Sequence, residues 1–254
     1  MKRFSLAIAA GLIVLGLTAP GFASAQMVEL GQTSSTPITA PSCPSGVSAS
    51  QCLIILTRTT AIQSDTNGLL NPTKVTKAGW IVGFTIGLSK LSTNSKTELG
   101  YIHGLDKQYG GTPQVALTVL RASANNKYTV AAQSGTYHLI PFLGQVLQEP
   151  LSLPPSFTTL AALAVKPGDV IGLTVPTWAP VLSYNLTASK YSYRQSRRAN
   201  CTHPPGSQTA QMAVGASQQY LCNYTGTRVE YSATEIVNQP YPKKYVGGPT
   251  STKK

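Results

Sequence analysis

Alternation of large apolar and small or polar residues is the dominant pattern in this chain. Between Ala78 and Leu88, Trp80, Val82, Phe84 and Ile86 alternate with Ile81, Gly83, Thr85 and Gly87. A period of two puts the four large side chains on one face of a strand, which makes Trp80 a core residue. Val115, Leu117, Val119 and Arg121 alternate in the same way with Ala116, Thr118 and Leu120. Tyr128–Ala132 supplies the return strand of a hairpin across Asn125-Asn126. Lys166-Pro167-Gly168-Asp169 reads as a type II turn, with proline fixing φ at the second position and glycine supplying a positive φ at the third. Val170–Val175 leaves that turn as a strand that Pro176 is expected to stop.

Weaker patterns complete the set. Strands are expected over Leu53–Thr59, over Phe157–Val165, twice within Val181–Arg194, and over Thr227–Ile236. In the last, Val229, Tyr231 and Ala233 face a core while Arg228, Glu230, Ser232 and Thr234 face water. Asn67-Gly68 and Asn71-Pro72 mark turns. Ser89–Pro113 reads as a long loop and Pro141–Pro155 as loop or edge. Strong helical periodicity is absent. The expected fold is all-β: a two-sheet antiparallel sandwich of jelly-roll or lectin-like type.

The N-terminus follows a different rule. A basic start (Lys2, Arg3) precedes an apolar run from Phe4 to Leu17, then Pro20, Gly21 and the small residues Ala23-Ser24-Ala25. This is the order of a secretory signal peptide, and the run is shorter than the roughly 20 residues of a membrane span. The expected organisation is a signal peptide over 1–25, an extended leader over 26–50 and a single sandwich domain over 51–238. A disordered basic tail over 239–254 carries Lys243, Lys244, Lys253 and Lys254. The expected location is extracellular or at the cell surface, with no membrane span once the signal is removed.

Composition changes the picture in two ways. Charged residues make up only 11% of the chain, so the surface is polar without being ionic, as solvated antiparallel sheet faces are. The formal net charge is nevertheless +12. In an exported protein without a nucleic-acid-reading motif this points away from nucleic acid, and toward solubility or an anionic polymer. Four cysteines (Cys43, Cys52, Cys201, Cys222) in such a chain predict two disulfides. Sequence allows three pairings. Local pairing, Cys43–Cys52 and Cys201–Cys222, is expected because each pair brackets a Pro/Gly-rich turn.

Catalytic patterns are scarce. No GxSxG, HExxH or P-loop occurs, and the histidines His103, His138 and His203 are scattered. The acids form no i, i+2 or i, i+4 pair on a strand, and Glu230 and Glu235 are expected on opposite faces. No metal or other cofactor is expected, and Asp169 reads as a turn residue accepting backbone N–H bonds. One stretch concentrates ligand-type side chains: Trp178, Tyr184, Tyr191, Tyr193, Arg194, Arg197 and Arg198. Aromatic faces stack on sugar rings, and guanidinium groups grip carboxylates or phosphates.

The run Leu163-Ala164-Val165-Lys166-Pro167-Gly168-Asp169-Val170-Ile171-Gly172-Leu173 resembles a phrase found in secreted, uncharacterised jelly-roll sandwiches of actinobacterial type. Strands similar to Val115–Arg121 and Tyr128-Thr129-Val130 precede it there. The resemblance spans about Gly79 to Pro176. It implies the sandwich fold and, through lectin-like modules of that architecture, sugar binding. Together these readings predict a secreted, non-catalytic binding protein for carbohydrate or an anionic cell-envelope polymer. A structural or assembly protein of the envelope is the alternative, as is a polysaccharide hydrolase whose site is assembled from distant residues.

Overall fold

The computed structural model describes residues 26–43, 54–151, 161–199, 201 and 208–237. The signal peptide, Cys52, His203 and the basic tail fall outside the described residues. Strand β1 (Gln26–Leu30) opens the described chain, and β2 (Leu56–Thr66) turns through Asn67-Gly68 into the short β3 (Leu69–Leu70). Both turn residues have positive φ, 55° and 84°, as a two-residue hairpin turn requires. β4 (Gly79–Gly87) is followed by helix α1 (Ser95–Tyr109). β5 (Gln114–Ser123) and β6 (Lys127–Gln133) form the expected hairpin, with Asn125 and Asn126 at φ 60° and 52°. Next come β7 (Tyr137–His138), a 3-10 turn at Ile140–Phe142, β8 (Val146–Pro150) and β9 (Leu163–Val165). β10 (Asp169–Ala179), β11 (Leu182–Ser183) and β12 (Tyr191–Gln195) lead to β13 (Ser217–Gln219) and β14 (Cys222–Thr225). β15 (Arg228–Val229) and β16 (Tyr231–Val237) complete the order.

These strands pair antiparallel into an all-β sandwich. One sheet runs β1-β16-β4-β8, with β9 beside the first part of β4, and the larger sheet runs β13-β6-β5-β10-β2-β12-β14. A two-stranded piece, β11-β15, lies apart. Ile81, Phe84, Ile86, Tyr231 and Ala233 of the smaller sheet meet Ala61, Leu117, Val119, Ile171 and Leu173 of the larger in one core. Polar bonds tie the layers together: Tyr231 O–H donates to the Ile171 carbonyl at 2.9 Å, and Gln63 Nε2 donates to the Val229 and Tyr231 carbonyls. Residues 208–211 and Tyr220 cover part of the outer face of the larger sheet. Beneath them Thr60, Thr118 and Thr174 bond to one another and to Gln133 and Gln211, so this polar layer is buried but satisfied.

Several details differ from the sequence expectation. Ser89–Pro113 contains α1, capped by Asn94, whose side chain accepts from Thr97 N at 3.0 Å, and closed by Gly110 at φ 82°. Its apolar stripe is thin, with Ile102 buried and Leu99 55% exposed, which hides the helical period. Pro176 does not stop β10, because the register against β2 shifts between Val175 and Trp178 and the proline sits in that bulge, where no ladder N–H is needed. A bulge at Val82 likewise breaks the alternation of β4, turning Ile81 into the core. The leader starts as a paired edge strand, β1 on β16. Thr227–Ile236 is half-buried only at Thr234 and Ile236; Arg228, Glu230 and Ser232 are buried along with Val229 and Tyr231.

The turn at Lys166–Asp169 is as read, with Gly168 at φ 91° and Asp169 N donating to the Lys166 carbonyl at 3.1 Å. Trp80 lies in the core. Cys201 and Cys222 are bonded, with Cα atoms 5.2 Å apart, and Cys43 is disulfide-bonded as well.

Candidate functional site

Strands β12 and β14 form one edge of the larger sheet, and Arg58 on the neighbouring β2 links that sheet to the C-terminal end of α1. Tyr193 and Tyr224, paired across β12 and β14, stack there with ring centroids 4.9 Å apart. Gln195, on the same face of β12 as Tyr193, donates from Nε2 to the Tyr193 hydroxyl at 3.1 Å. Tyr224 O–H donates to the Cys201 carbonyl at 2.7 Å, which ties the cluster to the disulfide. From the helix side, Arg58 Nε donates to the Tyr109 carbonyl at 3.1 Å, a cation placed on a helix C-terminus. Arg58 lies opposite the β10 bulge at φ 44°, so the bulge sets where its side chain leaves the sheet.

Electrostatics at this end are one-sided. Burial raises the Tyr109 hydroxyl, while the neighbouring Arg58 and Arg197 guanidinium groups and a Thr57 hydrogen bond pull it back. Burial raises Tyr224 too, again against Arg197. Tyr184 is pushed up to about 12, by burial and then by Tyr224, and burial carries Tyr193 higher still. All four phenols are therefore neutral hydrogen-bonding groups at physiological pH, gathered around cations.

The residues singled out from sequence are divided by the fold. Trp178 is fully buried with Ile54, Leu91 and Ile102, and its indole N–H donates to Asp106 Oδ1 of α1 at 2.9 Å, so it offers no face to a ligand. Tyr193 is 2% exposed and its ring is covered, which also removes it as a stacking platform. Arg194 turns to the opposite face, donating to the Tyr220 carbonyl at 3.2 Å. Tyr191 is half-buried at the start of β12, and Arg198 is exposed. Tyr184, Tyr193 and Arg197 are brought together, joined by Tyr224, Tyr109 and Arg58. The last two are far away in sequence, and Tyr109 lies in a segment read as loop, so no local pattern links them.

Most acidic residues are engaged by other groups of the fold. Asp169 pairs with Arg121 at 3.1 Å and accepts from Lys166 N, and Glu230 pairs with Arg228 at 3.5 Å. Glu29 accepts from Ser232 and Thr234, Asp65 from Gly68 N, and Glu98 from Leu91 N. Glu235 is buried on the inner side of β16 and is pushed up to about 7, by burial first, against the pull of Lys77. Among the described residues no group of three or more His, Cys, Asp and Glu is placed to hold a metal. His103 and His138 are exposed. An open cleft of about 480 Å³ lies between residues 40–43 and 90–93, lined by Pro41, Cys43, Lys90 and Leu91.

Fold and site together define an antiparallel β-sandwich with a basic, tyrosine-lined end. No protein-family model matches the chain, and no curated protein or solved structure compared with it does either.

Proposed function

We propose that this protein is exported and acts as a non-catalytic binding module for an anionic polymer of the cell envelope or its surroundings, an acidic polysaccharide above all. One observation carries the reading. Most of the acids are engaged within the fold, whereas Lys74, Lys90, Lys96, Lys107, Lys127 and Lys190 are exposed, on a chain of net charge +12. Such a surface attracts polyanions over about a Debye length, roughly 8 Å at physiological ionic strength. The Cys201–Cys222 bridge is compatible with an oxidising, extracellular setting. The likeness of Leu163–Leu173 to secreted sandwiches supports export in the same sense.

Co-sedimentation with insoluble polygalacturonate, neutral glucan and chitin tests the proposal. Retention on the acidic polymer alone, released as salt rises toward 0.5 M, is the expected result. Equal retention on neutral polymers, or none on any, would remove the ligand class. Release of new reducing ends during incubation would overturn the non-catalytic reading.

A further inference from the structure

Among the described residues two arginines are almost fully buried, and only one of them has an acid to match its charge; Arg228 leaves just its Nε without a hydrogen bond. Arg228, 5% exposed, donates to the Gly31, Thr36 and Pro37 carbonyls and pairs with Glu230. Arg197, 4% exposed, has Nε and Nη1 buried without a hydrogen-bond partner. The ion pairs among the described residues belong to Arg121 and Arg228. Nor is the Arg197 backbone free to carry the charge out to water. Its N–H donates to the Gln195 carbonyl at 2.7 Å, and its own carbonyl accepts from Leu221 N at 3.0 Å, one residue before the disulfide at Cys222.

A cation fixed out of water without an anion is strongly unfavourable, and a neutral side chain of similar volume would serve the fold better. Gln195 Oε1, two residues away, is also buried without a partner, but it is neutral and cannot match the charge of the guanidinium. The Tyr193 hydroxyl accepts from Gln195 and so retains its own proton to donate. Arg58 Nε donates to the Tyr109 carbonyl, and the Tyr109 hydroxyl feels both guanidinium groups.

We propose that Arg197 anchors a site for a single oxyanion group (carboxylate, sulfate or phosphate), with the Tyr193 hydroxyl as a second donor and the half-buried Arg58, Tyr109 and Tyr224 at its rim. A planar guanidinium makes charge-assisted hydrogen bonds to such a group, and their strength rises where water is excluded. The proposal deepens the reading of the protein as a binder of acidic polymer. It is tested apart from that reading, with anions too small to be held by scattered surface lysines.

The experiment is thermal unfolding of the wild-type protein, R197M and R197K in sodium glucuronate, inorganic phosphate or sulfate, with glucose and sodium chloride at matched ionic strength as controls. At about a hundredfold excess over Kd, wild type is expected to rise in Tm by roughly 5–10 °C with at least one oxyanion and with neither control. R197M is expected to lose that rise and to unfold at a higher temperature than wild type in chloride, because an unpaired buried charge has gone. R197K is expected to retain no more than a tenth of the wild-type affinity. A response to glucuronate alone identifies an acidic sugar, and one to phosphate or sulfate alone a phosphorylated or sulfated polymer. A response to all three identifies the oxyanion as such. No rise above chloride in wild type, an undiminished rise in R197M, or R197M unfolding below wild type in chloride would each overturn the site. Wild type that responds to small anions yet ignores polygalacturonate would overturn the polymer reading and leave this site standing.

Discussion

Replacing Arg228 by methionine should be the most damaging single change in the described fold. The guanidinium holds the Gly31, Thr36 and Pro37 carbonyls at 3.0–3.1 Å and lies 3.5 Å from Glu230 Oε2, with side chains 5% and 3% exposed. Its loss strands three carbonyls and a buried carboxyl that burial already raises and that Arg228, Ser183 and Thr39 hold down. Breaking a buried pair by removing one partner costs about 3–5 kcal/mol, and the stranded carbonyls place this site at the upper end. For a domain of this size that is a fall in Tm of roughly 6–20 °C. Removing both charges, R228M with E230L, should recover at least about 1 kcal/mol, since no orphaned acid remains. Urea denaturation followed by tryptophan fluorescence measures all three proteins. Hydrogen exchange should show Ile38 and Thr39 opening first in R228M, because Thr39 N donates to Glu230 and Ile38 N to Gln32 in the segment that Arg228 clamps. R228M within about 0.5 kcal/mol of wild type, or a double variant no better than R228M, would refute the reasoning.

Two further outcomes follow from the same packing. Glu235 has a folded pKa of about 7 against an ordinary value of 4.5, so the folded state binds more protons between those values and stability should fall as pH rises from 4.5 to 7. E235Q should match wild type below pH 4.5 and exceed it at pH 8 by about 1–3 kcal/mol; an unchanged slope of Tm against pH in E235Q would contradict this. At Gly87 an added Cβ would fall 1.8 Å from the Thr39 carbonyl oxygen, so G87A must push the leader off β4 at a cost of about 1–3 kcal/mol. Chemical denaturation of G87A indistinguishable from wild type would show that this contact is not tight.

Strands were legible wherever one face is core and the other is not. Val115, Leu117 and Val119 point inward as their alternation requires, and Pro167-Gly168 turns the chain where its backbone chemistry says it must. What escaped has a physical cause in each case. Helix α1 rests on the sandwich through a narrow stripe, so little of its sequence records the helical period. Bulges at Val82 and Pro176 insert one residue each, and a pattern of period two cannot survive that. Arg228 and Glu230 look like solvent positions because charge normally is solvated; only the leader, folded over them, makes them interior. Trp178 looked available until α1 placed Asp106 beside its indole. Arg197 was visible as a ligand-type residue, but its isolation from acids depends on neighbours contributed by β2, α1 and β14.

The pairing of β1 with β16 sets Gln26 opposite Val237, so the first described strand waits for the last. A ribosome delivers the chain in one direction, and β1 emerges long before its partner exists. Until then it is an unsatisfied edge, open to pairing with another copy of itself. Closure joins segments far apart along the chain, Gln26 with Val237, and such long-range pairing makes folding slow. The smaller sheet is joined through β16, which lies between β1 and β4, and a chain truncated before Tyr231 has nothing to join them with.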